Sequence, residues 1–356
     1  MQIILLLSLV IATIEKTHDI KYIDVPFRVE PLKKVSLLDI CLTRYSEQCL
    51  SVLLTTTSYK PFILDKNTFN VGYSYTHDPV HDINVGFKHG TFTLHGYLIR
   101  ETLTVKNSEI DMDDFLFYLA NKGKLPIETY TYEGIFGIGT SKEMVCSSFI
   151  EMIFTNYKFP RVFSIQLKGK RTEGKLIFGE EIKERIGDIK HRKMCKLDKD
   201  SPVFSCEVHS IYIEHTGKNE ATLISKAPSQ ILINPGFYGI RITKPVFEYL
   251  TEKVFKKDLS NGGCLLQKNK EENTFIKCTG KASYAYISYH LRLFIGKFNL
   301  NLPFEEIIRS NNDSTVDLLL FYHEDFNNFV IGQYYIQHNI NEVVYDIENN
   351  EVYFMK

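Results

Sequence analysis

The chain has 356 residues, of which 44% are hydrophobic, 42 are basic and 43 are acidic. This length and hydrophobic content suffice for two lobes, each with its own core. The nearly balanced charge, without a long run of one sign, gives no indication of nucleic acid or an anionic membrane as partner. The 21 tyrosines and 25 phenylalanines, with many Ile, Thr and Val residues, favour strands over helices. The composition therefore predicts a mostly β protein.

The chain opens with an apolar run from Ile3 to Ala12, followed by Thr13. Val10 and Ala12 suit positions −3 and −1 of a signal-peptide cleavage site, so residues 1–12 are interpreted as a signal peptide. A first buried strand is the alternative, because the run carries no Lys or Arg before it. No later apolar stretch approaches the ~20 residues of a membrane-spanning helix. We therefore expect a secreted protein with no membrane span.

Residues 13–34 form an N-terminal extension, read either as an edge strand or as the remnant of a propeptide. Val35 to Leu42 and Leu50 to Leu54 have the length and composition of strands, with a polar hairpin loop between them. Phe87 to Val105 alternates in part, and Gly90 and Gly96 stand where a hairpin could turn or bend. Asp111 to Asn121 carries apolar residues at helical spacing, which predicts a short helix.

In the second half, the charged stretch Glu180 to Lys199 is the best candidate for a crossover between lobes. Lys244 to Phe255 has apolar residues at helical spacing and Pro245 in its first turn, so it is predicted to be a helix. The final quarter is rich in strand-forming residues.

The seven cysteines include no Cys-x-x-Cys pair, so no zinc site is predicted. Six of them are close enough in pairs to clamp hairpins, which leaves Cys146 free; spacing alone does not fix the connectivity, and reduced thiols are the alternative. These candidate disulfides are Cys41 with Cys49, Cys195 with Cys206, and Cys264 with Cys278. One N-glycosylation sequon, Asn312-Asp313-Ser314, also agrees with export.

Two apolar strands end in related polar triplets. Residues 51–58 read Ser-Val-Leu-Leu-Thr-Thr-Thr-Ser, and residues 230–236 read Gln-Ile-Leu-Ile-Asn-Pro-Gly. Each is followed further on by a predicted helix and by two apolar residues and a glycine, ending at Gly137 in one half and at Gly332 in the other. This weak two-fold echo predicts duplicated lobes.

Together these motifs resemble the pepsin family of aspartic proteases over roughly residues 35 to 356. Tyr132 to Gly139 is similar to the family's Phe-Asp-Gly-Ile-Leu-Gly-Leu segment, and Phe163 to Gly179 to its Phe-Ser-x-x-Leu and Gly-x-Leu-x-Phe-Gly strands. Phe329 to Ile336 is similar to Ile-Leu-Gly-Asp-x-Phe-Leu, and Val343 to Phe354 to Val-Phe-Asp followed by Val-Gly-Phe. An unrelated β-sandwich is the alternative.

The resemblance implies a bilobal pepsin-like fold, with two β-barrel-like lobes at residues 35–185 and 186–356. The cleft between such lobes binds a peptide in extended form. Where the family has Asp-Thr-Gly triplets, Thr55 and Asn234 stand in place of the two catalytic aspartates. A hydroxyl and an amide do not titrate near neutral pH, so neither can act as the general base or acid. No catalytic residue is therefore expected.

The resemblance also implies which residues form the cleft and its flap, and several depart from the family. His89 replaces the flap tyrosine, Phe92 a glycine, and Pro235 and Thr57 the triplet Thr and Gly. The implied cleft and flap residues are Thr56, Thr57, Ser58, His89, Thr91, Phe92, Pro235 and Gly236. Phe92, Phe237 and Tyr238 could alternatively fill the cleft, although the last two could equally be core.

Other carboxylates and a histidine pair offer alternative chemistry. Asp65 and Glu101 could replace a lost carboxylate, but they are interpreted as solvated loop residues. His77 and His81 have a spacing that suits metal ligands, yet Pro79 between them favours surface histidines. We expect no cofactor and no metal. The sequence thus predicts a pseudoprotease that binds extended peptide; the alternatives are an active aspartic endopeptidase with an atypical dyad, or a structural protein that uses only the fold.

Overall fold

A computed structural model gives the fold of the chain. It describes residues 20–30, 35–42, 48–56, 61–64, 82–87, 92–123, 132–139, 148–167, 172–188, 193–198, 201, 203–218, 220–269 and 272–355. Strands dominate these residues, as the composition predicts. No helix in these segments has the length and apolar character needed to cross a membrane.

The strands are numbered in chain order. They are β1 (Tyr22–Glu30), β2 (Val35–Leu42), β3 (Gln48–Thr55), β4 (Phe62–Leu64), β5 (Asp82–Phe87), β6 (Phe92–Val105), β7 (Asp111–Gly123), β8 (Gly134–Gly137), β9 (Val162–Leu167), β10 (Glu173–Gly179), β11 (Lys193–Lys196), β12 (Ser205–Val208), β13 (Ser210–His215), β14 (Glu220–Ser225), β15 (Ser229–Asn234), β16 (Ile240–Arg241), β17 (Cys264–Lys268), β18 (Thr274–Thr279), β19 (Tyr289–Ile295), β20 (Phe298–Pro303), β21 (Ile308–Ser310), β22 (Thr315–Tyr322), β23 (Phe329–Gly332), β24 (Glu342–Asp346) and β25 (Glu351–Met355).

Short helices connect these strands. The α-helices are Phe149–Tyr157, Glu180–Asp188, Lys244–Tyr249, Lys256–Asn261, Gly280–Ser283 and Gln333–Tyr335. Two 3₁₀ turns lie at Thr216–Lys218 and Phe304–Ile307, and two π-helical turns at Leu250–Val254 and Ile336–Ile340. The helix predicted from Lys244 to Phe255 is confirmed, and its second part is the π-helical turn.

Each half of the chain contains the same arrangement of four strands. In the first half, β3 lies parallel to β8, β8 antiparallel to β4, and β4 parallel to β7. In the second half, β15 lies parallel to β23, β23 antiparallel to β16, and β16 parallel to β22. The polar triplets follow β3 and β15, so the two-fold echo in the sequence corresponds to a repeated strand arrangement.

The sheets connect the two halves. A 13-stranded sheet contains a closed six-stranded barrel of β2, β3, β8, β4, β7 and β6, because β6 also pairs with β2. The same sheet continues through β1, β10 and β9 into β24, β25 and β11, so strands of the second half complete it. The second half also has an eight-stranded sheet, which includes β15 and β23, and a four-stranded sheet of β14, β13, β19 and β20.

Aromatic packing reinforces this junction at the β9–β24 pair. The rings of Phe163 and Tyr345, which face each other across the pair, stack with centroids 4.8 Å apart, and Phe204 packs against both. All three side chains are buried. One continuous hydrophobic core runs through both halves, so apolar burial stabilises them together.

The helix predicted at Asp111 to Asn121 is wrong, because this segment is strand β7. From Asp111 to Phe117 buried side chains alternate except at Asp113 and Asp114, which lie within an irregularity of the β6–β7 pairing; Asp114 has φ 59°. Such a bulge adds a residue to the alternation, so Met112 and Phe115 end up three residues apart on the buried side. The apolar residues of this bulged strand therefore have the sequence spacing that is typical of a helix.

All three candidate disulfides are present. Cys41–Cys49 joins directly paired residues of β2 and β3, and Cys264–Cys278 joins directly paired residues of β17 and β18. Cys195–Cys206 joins β11 to β12. Cys146 lies outside the described residues. Disulfides are typical of proteins in oxidising compartments, so they are compatible with an extracellular or secretory-pathway location.

Candidate functional site

The candidate site lies where the repeated strands β3 and β15 end. Thr55 is paired with Gly137 of β8, and Asn234 with Gly332 of β23. The two residues therefore occupy equivalent positions in the repeated arrangement. They are 179 residues apart in sequence, yet the Thr55 hydroxyl donates a hydrogen bond of 3.1 Å to Asn234 Oδ1. The structure thus brings together the two positions that the sequence resemblance singled out.

Asn234 is held by a set of converging donors. Besides the Thr55 hydroxyl, its Oδ1 accepts the backbone N–H of Thr56 at 3.3 Å and that of Gly236 at 2.9 Å. Backbone N–H groups can only donate, so they fix which end of the amide is the oxygen. The amide nitrogen Nδ2 faces away; it is buried and has no hydrogen-bond partner in the part of the chain that the structure describes.

A second contact between the halves uses a backbone carbonyl. The Thr56 hydroxyl donates a hydrogen bond of 2.5 Å to the Ile233 oxygen, and the Tyr345 hydroxyl donates to the same oxygen at 3.3 Å. Burial raises the pKa of Tyr345, so its phenol stays a donor across the physiological range. At the position equivalent to Thr56 stands Pro235, which has neither a hydroxyl nor an N–H. Only the first triplet therefore donates a side-chain hydrogen bond from this position to the other half.

Gly236 permits a close approach between the two halves. A Cβ atom at this position would lie 2.4 Å from the backbone oxygen of Leu54, which belongs to β3 and is fully buried. Any larger residue would have to displace that strand. The glycine of the second triplet is thus required by the backbone around it, independently of any catalytic role.

The flap positions are described only in part. Thr57, Ser58, His89 and Thr91 lie outside the described residues, as do the candidates Asp65, His77 and His81. The backbone of β5 and β6 pairs antiparallel, with Phe87 opposite Phe92, and Gly90 lies outside the described residues. The bend predicted at Gly96 coincides with an irregularity in the β6–β7 pairing.

The burial of Glu101 and of Phe237 tests two further expectations from the sequence. Glu101 was interpreted as a solvated loop residue, which is wrong: it lies within β6 and is 1% exposed. Phe237 belongs to the core of the second half, because its ring packs edge-on against Phe321 and lies 5.0 Å from the guanidinium of Arg241. Its neighbour Tyr238 is half-buried against Tyr334.

The site as a whole is buried and uncharged. Thr55 and Thr56 are 0% exposed and Asn234 is 1% exposed. Within the described residues, Asn234 is contacted by a hydroxyl and by backbone N–H groups, and no carboxylate hydrogen-bonds to it. Hydroxyl and amide groups donate and accept hydrogen bonds but exchange no proton near neutral pH. The described groups of this site hold one another by hydrogen bonds, and neither Thr55 nor Asn234 can act as a general acid or base near neutral pH.

Sequence reasoning did not identify Tyr345 as part of this region's polar network, whereas Gln333 stands where the resemblance implies an aspartate. Gln333 follows the glycine paired with Asn234, is 2% exposed, and donates its backbone N–H to the Phe237 oxygen. Both residues lie within segments that the sequence resemblance included. Comparison with known proteins adds no identification: no protein-family model matches the chain, and no curated protein matches it.

Proposed function

We propose that this protein is a secreted, pepsin-like pseudoprotease: a catalytically inactive homologue of the aspartic proteases whose interlobe cleft binds extended peptides. The observation that carries the proposal is the Thr55–Asn234 hydrogen bond between equivalent strand ends of the repeated arrangement. In the pepsin family the two aspartates are expected at such a pair of positions. A neutral hydroxyl–amide pair therefore takes the place of the dyad.

The absence of catalysis follows from the chemistry of these two side chains. Two carboxylates close together share one proton, which separates their pKa values and lets one act as base and the other as acid. Thr55 and Asn234 cannot divide these roles. General acid–base catalysis contributes about 10² to 10⁴-fold for each role, so loss of both abolishes useful hydrolysis.

Peptide binding does not need the dyad. An extended peptide is held mainly by hydrogen bonds to main-chain groups, while pockets select alternate side chains. The β5–β6 hairpin supports this interpretation, because β6 begins at Phe92, one of the residues that the resemblance implies for the cleft and flap. The three disulfides agree with the proposed export.

The test is cleavage of a diverse peptide library from about pH 3 to pH 7, the range in which such a dyad titrates. The unmodified protein should cleave none of the peptides, while it retains peptides from the same library in a pull-down. A Thr55→Asp, Asn234→Asp double variant restores the pair, and each single variant is its matched control because one carboxylate has no partner to share a proton.

Each outcome separates the proposal from its alternatives. Cleavage by the unmodified protein, blocked by a transition-state mimic, would support an active endopeptidase with an atypical dyad. Silence without peptide retention would support a structural or surface protein that uses only the fold. Cleavage confined to the double variant, with retention by the unmodified protein, is the result expected here.

A further inference from the structure

A second candidate site lies in a cavity of about 510 Å³ in the second half of the chain. The edge strand β20 forms one side, the segment around Tyr335 and Ile340 another, and Phe354 of β25 closes one end. This volume falls within the range of small-molecule sites. No lining residue belongs to the Thr55–Asn234 site, so the cavity raises a separate question of function.

The pairing of β20 shows which of its backbone groups face the cavity. β19 and β20 form a hairpin with two residues between the paired Ile295 and Phe298, so that pair is hydrogen-bonded and the pairs alternate from there. Asn299, Asn301 and Pro303 consequently direct their backbone groups away from β19. The Tyr335 hydroxyl donates a hydrogen bond of 2.9 Å to the backbone oxygen of Asn301, which agrees with this register.

The Pro303 end of the cavity is rich in acceptors. Pro303 contributes a carbonyl and has no N–H. Tyr335 has already donated its proton to Asn301, so its oxygen can only accept from a further partner. Glu306 adds a carboxylate, and burial together with its charge raises the pKa of Tyr335. Among the described residues that line the cavity there is no Lys, Arg or His, so this end favours a cation.

The other end is apolar, with one unused donor nearby. Phe298 and Phe354 pack edge-on with centroids 5.7 Å apart, and the almost fully buried Ile340 also lines the cavity. Five residues of strand, about 16 Å, separate Phe298 from Pro303. Asn339 lines the cavity, and its amide nitrogen is buried without a partner among the described residues. Rotation of this amide about χ2 would turn the nitrogen towards the cavity, where a ligand with a carbonyl oxygen would satisfy it.

We propose that this cavity binds a primary ammonium group that carries a neighbouring carbonyl and an apolar side chain. The ammonium lies at Glu306, the carbonyl accepts from Asn339, and the apolar group packs towards Phe298 and Phe354. This chemistry is that of an amino acid amide or of the N-terminal residue of a peptide. It is independent of the proposed pseudoprotease function.

The experiment is calorimetric titration of the full-length protein with L-phenylalaninamide at about pH 6, where an α-amino group is charged. Saturable binding is expected, weakened about two- to fivefold by Glu306→Gln, because this carboxylate is exposed and water screens its charge. Glu305→Gln is the matched control, because this adjacent carboxylate is also exposed but does not line the cavity; it should leave binding unchanged. Asn339→Leu should weaken binding severalfold.

Two further probes test the ligand itself. N-acetyl-phenylalaninamide lacks the charge and should bind at least about tenfold more weakly. A tripeptide with N-terminal phenylalanine distinguishes the source: affinity equal to that of the amide assigns peptide N-termini, and weaker binding assigns a free small amine. The proposal is overturned by absence of saturable binding, by equal binding of the acetylated probe, or by equal losses in the Glu305 and Glu306 variants.

Discussion

The strand ends at Thr55 and Asn234 occupy equivalent places in two halves with the same strand arrangement, and they differ in how they reach across. On the Thr55 side, Thr56 sends its hydroxyl to the Ile233 carbonyl. On the Asn234 side, Pro235 has no hydroxyl or N–H that could donate a hydrogen bond. Contact is made instead by Gly236, which lies against the Leu54 carbonyl. The comparison teaches that the repeated backbone holds the halves together although the side chains at the two strand ends are not symmetric.

The largest expected effect comes from filling the close approach at Gly236. In Gly236→Ala, the new Cβ would lie 2.4 Å from the Leu54 oxygen, and that buried strand cannot withdraw. We expect the free energy of unfolding to fall by about 3 kcal/mol or more. Gly187→Ala is the control, because nothing lies within 4 Å of its Cβ position. Denaturant unfolding measures both, and similar values for the two variants would show that the halves are not tightly apposed there.

The next effect is removal of the hydroxyl that crosses between the halves. Thr56→Val keeps the shape of the side chain and leaves the buried Ile233 oxygen with Tyr345 as its remaining side-chain donor. The expected loss is about 2 kcal/mol, and Tyr345→Phe alone should cost about 1 kcal/mol. Because the two hydroxyls share one acceptor, the double variant should lose more than the sum. Strict additivity would mean that they do not compensate for each other.

A smaller effect should follow from restoring symmetry at Pro235. By the repeat, a hydroxyl at this position would reach the Leu54 carbonyl as Thr56 reaches that of Ile233. Pro235→Thr gains this bond and loses the stiffness of proline, whereas Pro235→Ala only loses the stiffness. We expect the Thr variant to be about 1 kcal/mol more stable than the Ala variant. Equal stability would indicate that the halves are not equivalent at this point.

The smallest effect contrasts the uncharged site with an ionic network on β1, β2 and β3. Asp39 is partly buried, which acts to raise its pKa, but hydrogen bonds from Arg28 and Ser51 outweigh this and lower it. A lowered pKa in the folded state stabilises the protein above the unfolded pKa of about 3.9, and the stabilisation is lost as the pH falls below it.

Asp39→Asn should therefore cost no more than about 1 kcal/mol at neutral pH. Its deficit relative to the unmodified protein should shrink as the pH is lowered from about 5 to 2. Thr56→Val is the control, since a hydroxyl–carbonyl bond has no proton to exchange in this range, and its deficit should be constant. Parallel pH profiles for the two variants would contradict the ionic assignment. Unfolding curves recorded at each pH provide the measurement.

Sequence reasoning succeeded where a signal is local. The three cysteine pairs that lie close in sequence were candidate disulfides, although spacing left the connectivity open, and all three are present; the apolar strands before the polar triplets are β3 and β15. The pairing of Thr55 with Asn234 is not local, and only the resemblance to a bilobal family suggested it. Neither composition nor periodicity could have brought together two residues that are so far apart in the chain.

The failures also have physical reasons. The bulge near Asp114 shifted the alternation of β7 into a helical spacing. Glu101 was misjudged because an ionisable residue inside a strand is usually exposed, and here the barrel buries it. The cavity beside β20 could not be predicted, because its walls come from β20, from the segment around Tyr335 and from β25, which no sequence motif connects.

The order of strands in the 13-stranded sheet has a consequence for biosynthesis. β9 is bordered on one side by β10, which follows it directly, and on the other by β24, whose Glu342 pairs with Gln166. A chain emerging from the ribosome therefore makes most of its second half before the open edge of β9 finds its partner. Unpaired edges recruit other chains, and pairings between distant segments form slowly. We therefore expect the yield of soluble protein to depend more on chaperones that bind the chain during this interval than on the stability of the native state.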